Sequence, residues 1–177
     1  FMSIFNRIYY LMHKNDTNIK KDLDSFFYPL DMVFNLNKLY GKKGFTQIQI
    51  LIKDKEKYRY DEILVKIFNF FNDKKIYSFL TTLKEYGKGN ENYLSFPEKG
   101  VCIALDVPLS DNFLKVYKEF EKLILNYNIK IYLAKDTFMS KSFFKNSYDK
   151  VVLFNEYKKK IDPNSKFQSI QSKRLGL

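Results

Sequence analysis

The clearest pattern in the chain begins at residue 45, where the spacing of apolar residues switches regularly between two periods. Strict alternation places successive side chains on opposite faces of a strand, whereas a repeat of about 3.6 residues forms one apolar stripe along a helix. The pattern predicts strands at 45–53, 75–84, 100–107 and 129–134, and helices at about 58–72 and 110–126.

This β-α-β-β-α-β order is typical of a ferredoxin-like unit and predicts an α+β fold. In such a unit, an antiparallel sheet carries both helices on one face. The isoleucines of the first strand alternate with Gln47 and Gln49. Because the isoleucines belong against the helices, the two glutamines should lie on the open face, where ligands or partner domains bind.

The segments on either side of this unit have less regular patterns, and those that follow it predict a helical C-terminal segment. The second C-terminal helix should end before Pro163, because the residue before a proline disfavours helical geometry. Together the flanks predict a helix at 1–12, a charged loop at 15–24, an irregular apolar stretch at 26–40, short helices at 140–146 and 148–160, and a basic tail at 167–177.

The composition suits one domain, or one domain with a docking segment. With 177 residues, 45% of them hydrophobic and 18% aromatic, the chain can bury a substantial core. It contains no apolar run long enough to span a membrane and no signal-peptide pattern. We expect a cytoplasmic location, because a single cysteine suits a reducing compartment. The single cysteine, Cys102, excludes an internal disulfide and is most simply a small buried apolar residue.

The net charge of +11 would ordinarily favour polyanionic partners such as nucleic acid or an anionic membrane surface. However, only three of the 31 basic residues are arginines, namely Arg7, Arg59 and Arg174. Arginine is the residue best suited to bind a phosphate through two parallel hydrogen bonds. Abundant Lys, Asn, Ile, Phe and Tyr are also what AT-rich codon usage produces. The charge alone therefore does not identify a partner.

Common catalytic motifs are absent from the sequence: it has no P-loop, no G-x-G-x-x-G, no H-E-x-x-H and no C-x-x-C. The sole histidine, His13, lies near a predicted helix end and is expected to have a surface or packing role. Carboxylates such as Asp54, Glu56, Asp61 and Glu62 are interspersed with lysines and indicate a solvated face. No metal site is predicted.

Four polar residues are the candidates for a binding site. Gln47, Gln49, Lys84 and Lys135 lie on strands or strand ends of the one predicted sheet. Each alone has an ordinary explanation, since glutamines on an exposed sheet face are solvated and lysines often protect strand edges. Together they predict hydrogen-bond donors converging on a common cavity.

Short blocks that keep their order and spacing from about residue 26 to the end carry a resemblance to a known family. On these blocks the chain resembles the C-terminal half of the FAD-linked sugar and alditol oxidases of the vanillyl-alcohol-oxidase type, the family of decaprenylphosphoryl-β-D-ribose 2'-oxidase. The blocks include Phe27-Tyr28-Pro29-Leu30-Asp31, Gly44-Phe45-Thr46-Gln47-Ile48-Gln49, Gly87-Lys88-Gly89-Asn90, Leu94-Ser95-Phe96-Pro97 and Tyr132-Leu133-Ala134-Lys135-Asp136.

The resemblance implies how the chain is divided. Residues 1–134 would form a substrate (cap) domain whose core unit is 45–134, and residues 135–177 would pack on an FAD-binding domain. That N-terminal domain, which would bind most of the FAD, is not in this chain, so the piece alone is expected to be inactive.

The resemblance also implies roles for particular residues. Gln47 and Gln49 would face a sugar substrate, and Lys84 would reach its hydroxyl or phosphate region. Cys102 and Ala104 would line the pocket at positions where the best-known members carry Asn and Cys, respectively. That departure leaves the substrate open.

The implied reaction is hydride transfer from a sugar carbinol to FAD, which yields a ketone. Lys135 would lie beside the flavin and stabilise the negative charge of its reduced form. A polyprenyl-phosphate-linked sugar of the cell envelope is one candidate substrate, with a short-chain reductase as a partner and peripheral association with the cytoplasmic membrane. The catalytic base cannot be assigned from the sequence.

Two other functions stay open. Within the enzymes, the alternative is an aldonolactone or alditol oxidase. From another class, a ferredoxin-like nucleic-acid-binding or interaction module is suggested by the charge and by Lys43-Gly44-Phe45 entering a strand. Base stacking requires aromatic residues on the open face, whereas Gln47 and Gln49 hold the central places of the first strand. We therefore expect no nucleic-acid partner.

Overall fold

A computed structural model describes residues 2–28, 34–35, 38, 40–54 and 59–177, except for the side chain of Met2. Its centre is a four-stranded antiparallel sheet with the strand order β2-β3-β1-β4. The predicted mixture of helices with an antiparallel sheet is confirmed. The strands are β1 (Phe45–Lys53), β2 (Thr81–Tyr86), β3 (Gly100–Pro108) and β4 (Lys130–Ile131).

The helices of the described residues lie before, within and after the sheet unit. Those within it, α3 and α4, supply the apolar stripes that the sequence predicts. The helices are α1 (Met2–His13), α2 (Leu23–Phe27), α3 (Tyr60–Asp73), α4 (Asp111–Leu125), α5 (Lys141–Ser147), α6 (Val151–Ile161) and α7 (Ile170–Leu175).

The main core lies between one face of the sheet and the helices α3 and α4. Ile50 of β1 and Ile103 of β3 are paired neighbours, and both are completely buried. Ile67 of α3 and Phe120 of α4 belong to the same apolar cluster and are also completely buried. This packing fixes which face of the sheet is covered, and it leaves the other face to the polar side chains.

Two predicted helix starts are confirmed by capping hydrogen bonds. The Ser110 hydroxyl accepts from the Phe113 amide at the start of α4, and the Ser140 hydroxyl accepts from the Phe143 amide at the start of α5. Such caps satisfy backbone donors that have no partner within the helix. The predicted end of α6 is also confirmed, because the helix stops directly before Asp162 and Pro163.

Other boundaries were predicted wrongly. Strand β2 begins at Thr81 instead of residue 75, because Lys75 adopts a left-handed conformation after α3 and Ile76 turns into the core. Lys84 therefore lies inside the strand and not at its end. Strand β4 is much shorter than predicted, since the chain winds into a 3-10 turn over Leu133–Lys135.

The spacing of apolar residues along α4 would also place Leu114 on the inner side, but this side chain is 48% exposed. Val116 and Glu121 are buried instead. The Glu121 carboxylate accepts a 2.6 Å hydrogen bond from the Ser140 amide, which ties α4 to the start of α5.

The C-terminal residues fold back onto the segment that follows β4, and they include α7, which the sequence pattern did not predict. The Arg174 guanidinium donates to Asp136 Oδ2 at 2.7 Å and also to the Met139 carbonyl oxygen. Gln171 donates to the Leu133 carbonyl oxygen at 2.6 Å, and Leu175 is buried in the main core. These contacts anchor the tail through polar groups as well as apolar ones.

Within the described part of the chain, no helix is both long and apolar enough to cross a membrane. The predicted irregular stretch at 26–40 lies partly outside the described residues, as does the start of the helix predicted at about residue 58.

Replacing Phe120 by Ala should lower the free energy of unfolding by about 3–5 kcal/mol, because it removes a completely buried aromatic ring and leaves a cavity. The matched control is Leu114→Ala, which removes an apolar side chain from the solvent side of the same helix and should cost about 0.5 kcal/mol or less. Urea unfolding of the variants measures both values. Equal costs would contradict the assignment of the two faces of α4.

Candidate functional site

The open face of the sheet carries the predicted site residues of the two central strands. Gln47 and Gln49 alternate with the buried isoleucines of β1 and therefore point away from α3 and α4. In the antiparallel register, Gln47 pairs with Asp106 of β3 and Gln49 pairs with Ala104. The sequence prediction that these glutamines share the open face is consistent with this placement.

Lys84 reaches the same face from the edge strand β2. It pairs with Cys102 of β3, and Thr82 and Tyr86 flank it on that face. The Lys84 side chain is exposed. The edge strand therefore presents a cation beside the row of polar groups on the central strands.

A small apolar cluster covers part of this face, and the sequence reasoning missed it. Leu51 and Cys102 are buried beneath Phe96, which comes from the loop between β2 and β3. Tyr132 packs on the same ring with a centroid distance of 4.7 Å. The predicted pocket residue Cys102 is only 1% exposed, so it lies beneath the open face and is not part of its exposed surface.

The amide of Gln49 lies between this apolar cluster and the polar row, which consists of Gln47, Gln49 and Asp106. Its nitrogen donates to the Tyr86 hydroxyl at 3.2 Å and to Cys102 Sγ at 3.3 Å, and the side chain is almost buried. Burial raises the pKa of Tyr86, and the neighbouring thiol raises it further. Tyr86 therefore stays a neutral hydroxyl next to Gln49.

Asp106 is the buried charge of this face, and the sequence reasoning did not select it. The residue is 3% exposed, and its Oδ1 accepts a 2.7 Å hydrogen bond from the amide nitrogen of Gln47. Burial raises the pKa of Asp106, while the Gln47 hydrogen bond, the charge of Lys135 and the Tyr40 hydroxyl act in the opposite direction. Burial and the Asp106 charge together raise the pKa of Tyr40 to about 12.

Lys135 lies at the end of the 3-10 turn that follows β4, and its side chain is exposed. Because the strand order is β2-β3-β1-β4, Lys84 and Lys135 come from opposite edges of the sheet. The structure therefore brings Gln47, Gln49 and Ala104 together at the centre of one face, with a cation at each side.

A second group of charges lies toward the other end of β1. Lys53 and Lys130 are both nearly buried, and their ammonium groups contact the two carboxylate oxygens of Glu98 at 3.0 and 2.9 Å. Lys130 also donates to the Ser95 carbonyl oxygen and lies over the Tyr148 ring. Glu98 thus anchors the loop between β2 and β3, which carries Phe96, to the sheet.

The chemistry of the open face is that of a polar binding surface for a neutral or anionic ligand. Its groups are amide carbonyls, ammonium groups and one buried carboxylate, and these can orient hydroxyl and phosphate groups. Among the described residues, no group of three or more His, Cys, Asp or Glu side chains could hold a metal ion.

Comparison with known proteins gives an extended match to an oxidase. The chain is 29% identical over 160 residues to decaprenylphosphoryl-beta-D-ribose oxidase of Mycolicibacterium smegmatis, a match that covers 90% of this chain and 34% of that protein. The chain is distantly related to this oxidase. It is also 28% identical over 96 residues to an uncharacterized protein in the mprA 5' region of Streptomyces coelicolor, which covers 54% of this chain and 26% of that protein.

No protein-family model matches the chain. The chain spans about a third of the length of the first relative and about a quarter of the length of the second. The relationship is distant, and it does not test the role of any single residue on the open face.

Replacing Glu98 by Gln should destabilise the fold, because two nearly buried ammonium groups lose their counter-charge. We expect a loss of about 1–3 kcal/mol at neutral pH, which is less than for a fully buried pair because the Glu98 side chain is 36% exposed. The control Glu91→Gln removes a carboxylate whose ion pair with Lys150 is at the surface, and it should leave the melting temperature unchanged.

The pH dependence gives an independent check on Glu98. Burial raises its pKa, but the hydrogen bonds and charges of Lys130 and Lys53 outweigh burial and hold the pKa below the ordinary 4.5. A lowered pKa contributes stability that is complete above the ordinary value and is lost as the pH falls through the folded value. The stability difference between wild type and Glu98→Gln should therefore shrink below pH 4.5, and a difference that is constant with pH would contradict this origin.

Proposed function

We propose that this chain is the substrate-binding portion of an FAD-dependent oxidoreductase that oxidises a hydroxyl group of a sugar or polyol to a ketone. The observation that carries the proposal is the relationship to decaprenylphosphoryl-beta-D-ribose oxidase over 90% of the chain. Support also comes from the open face, where Gln47 and Gln49 lie between the exposed lysines Lys84 and Lys135.

The residues of the open face suit a phosphorylated sugar as the substrate. Amide groups bind sugar hydroxyls, and the exposed ammonium group of Lys84 suits a phosphate or hydroxyl oxygen. The name of the relative specifies a polyprenyl phosphate joined to ribose. We therefore propose a polyprenyl-phosphate-linked sugar as the substrate, with Ala104 and the buried Cys102 shaping the space between the polar groups.

Lys135 is the residue that we propose beside the cofactor. Its exposed ammonium group lies at one side of the open face and interacts electrostatically with Asp106, so it suits the neighbourhood of an anionic group. When bound, FAD would accept the hydride. Lys135 would stabilise the negative charge that develops on the cofactor.

The proposal includes an arrangement of domains. Residues 1–134 would form the substrate domain, with 45–134 as a ferredoxin-like unit, and residues 135–177 would pack against an FAD-binding domain supplied outside this chain. A short-chain reductase that reduces the ketone would be the partner enzyme. The basic charge would favour a place at the cytoplasmic surface of the membrane.

The enzymatic proposal is tested with the full-length polypeptide that contains this chain, purified with its flavin. In the absence of oxygen, adding farnesylphosphoryl-β-D-ribofuranose to this flavoprotein should bleach the flavin absorbance. Adding xylitol or galactono-1,4-lactone should not. Bleaching by xylitol or the lactone alone would favour the alditol or aldonolactone oxidase. Failure of every substrate to reduce the flavin would refute the proposed oxidation.

Replacing Lys84 by Met should raise the KM for the phosphorylated substrate by about 10- to 100-fold, because one charge-assisted hydrogen bond contributes about 1.5–3 kcal/mol. The maximal rate should change less, since Lys84 binds the substrate away from the reacting bond. Lys115→Met, which removes an exposed lysine from α4, is the control and should leave the steady-state kinetics unchanged. Equal effects of the two variants would exclude a specific contact at Lys84.

A further inference from the structure

The two glutamines of the open face use their amide nitrogens within the protein, and their carbonyl oxygens accept no hydrogen bond from the described part of the chain. The Gln47 nitrogen donates to Asp106, and the Gln49 nitrogen is shared by Tyr86 and Cys102. Neither carbonyl oxygen has a hydrogen-bond partner among the described residues. Within the described part of the chain, the carbonyl oxygen is therefore the end of each amide that is left to meet a ligand.

The partners of the two amides differ in one chemical respect. A hydroxyl or a thiol can donate as well as accept, so Tyr86 and Cys102 are compatible with either orientation of the Gln49 amide. An ionised carboxylate only accepts, so Asp106 requires that the nitrogen of Gln47 faces it. The direction of the Gln47 amide is thus fixed by a charge.

We propose that Asp106 is a positioning residue that holds the carbonyl oxygen of Gln47 toward the ligand, so that this position selects a ligand hydroxyl and rejects groups that only accept hydrogen bonds. This inference rests on the proposed function for the identity of the ligand. It adds the polarity of one contact, namely that the ligand donates and the protein accepts.

The groups around Asp106 determine the pH range in which its carboxylate is charged and holds the Gln47 amide in this orientation. The titratable groups that face it are Lys135, from the turn after β4, and Tyr40, which precedes β1. Burial raises the pKa of Asp106, and the Lys135 charge and the Gln47 hydrogen bond counteract it. When the carboxyl is protonated at lower pH it can donate, and the Gln47 amide is then free to turn.

A purely structural role for Asp106 predicts a different result from a positioning role. A raised pKa means that folding disfavours the charged form, so the buried carboxylate reduces stability at pH values above its folded pKa. Asp106→Asn should therefore keep or raise the melting temperature at neutral pH. A loss of selectivity in that variant would then not result from a weakened fold.

The first test is made with the full-length flavoprotein and two probes, farnesylphosphoryl-β-D-ribofuranose and its sugar O-methyl ethers. Asp106→Asn offers both a donor and an acceptor to Gln47, so the preference for the free hydroxyl over its ether should fall by about tenfold or more at one ring position. Asp106→Glu retains a carboxylate and should keep part of the preference. Asp111→Asn, a change at an exposed carboxylate on α4, should alter neither activity nor preference.

The second test does not require turnover. In the 15N-labelled protein, the side-chain amide signals of Gln47, assigned with Gln47→Leu, should shift with one titration as the pH is lowered, and this titration should be absent in Asp106→Asn. Unchanged ether discrimination in Asp106→Asn, or a Gln47 signal without the titration in wild type, overturns the inference. If no probe reduces the flavin, the proposed function fails, and the amide titration alone decides the role of Asp106.

Discussion

The antiparallel pairing of β1 with β3 is the constraint on which the rest of the structure depends. The two strands are in register from Phe45 opposite Pro108 to Lys53 opposite Gly100. Successive side chains alternate between faces, so this single register sends the isoleucines into the core and the glutamines to the opposite face. A shift by one residue would exchange the two sets and expose the core, which makes the position of the polar face inseparable from the stability of the sheet.

The open face combines groups that are costly to bury with groups that reduce the cost. Asp106 is almost inaccessible, yet it has an amide donor and a nearby cation in place of a full ion pair. At the other end of β1, Lys53 and Lys130 share the carboxylate of Glu98. Buried polar groups that reduce stability are typical of binding sites, because the groups that orient a ligand are rarely the most stable choice for the fold.

The apolar cluster around Phe96 limits the extent of the polar row on this face. By covering Leu51 and Cys102, it separates the ion pairs of Lys53 and Lys130 from the row formed by Gln47, Gln49 and Asp106. The polar row therefore borders an apolar cluster, and Glu98 fixes the loop that carries Phe96. A site built on strands in this way holds its side chains more firmly than one built on loops.

Local patterns in the sequence determined the elements whose signals are local: the bounds of β1, most of β3, the capped starts of α4 and α5, and the placement of Gln47 and Gln49 on one face. Only the tertiary structure decided the late start of β2, the early end of β4 and the partners of the glutamines. Asp106 is 59 residues from Gln47 in the chain, and Cys102 is 53 residues from Gln49. Alternation within a strand shows which face a side chain takes, but pairing between distant strands decides which group it meets and whether that group is buried.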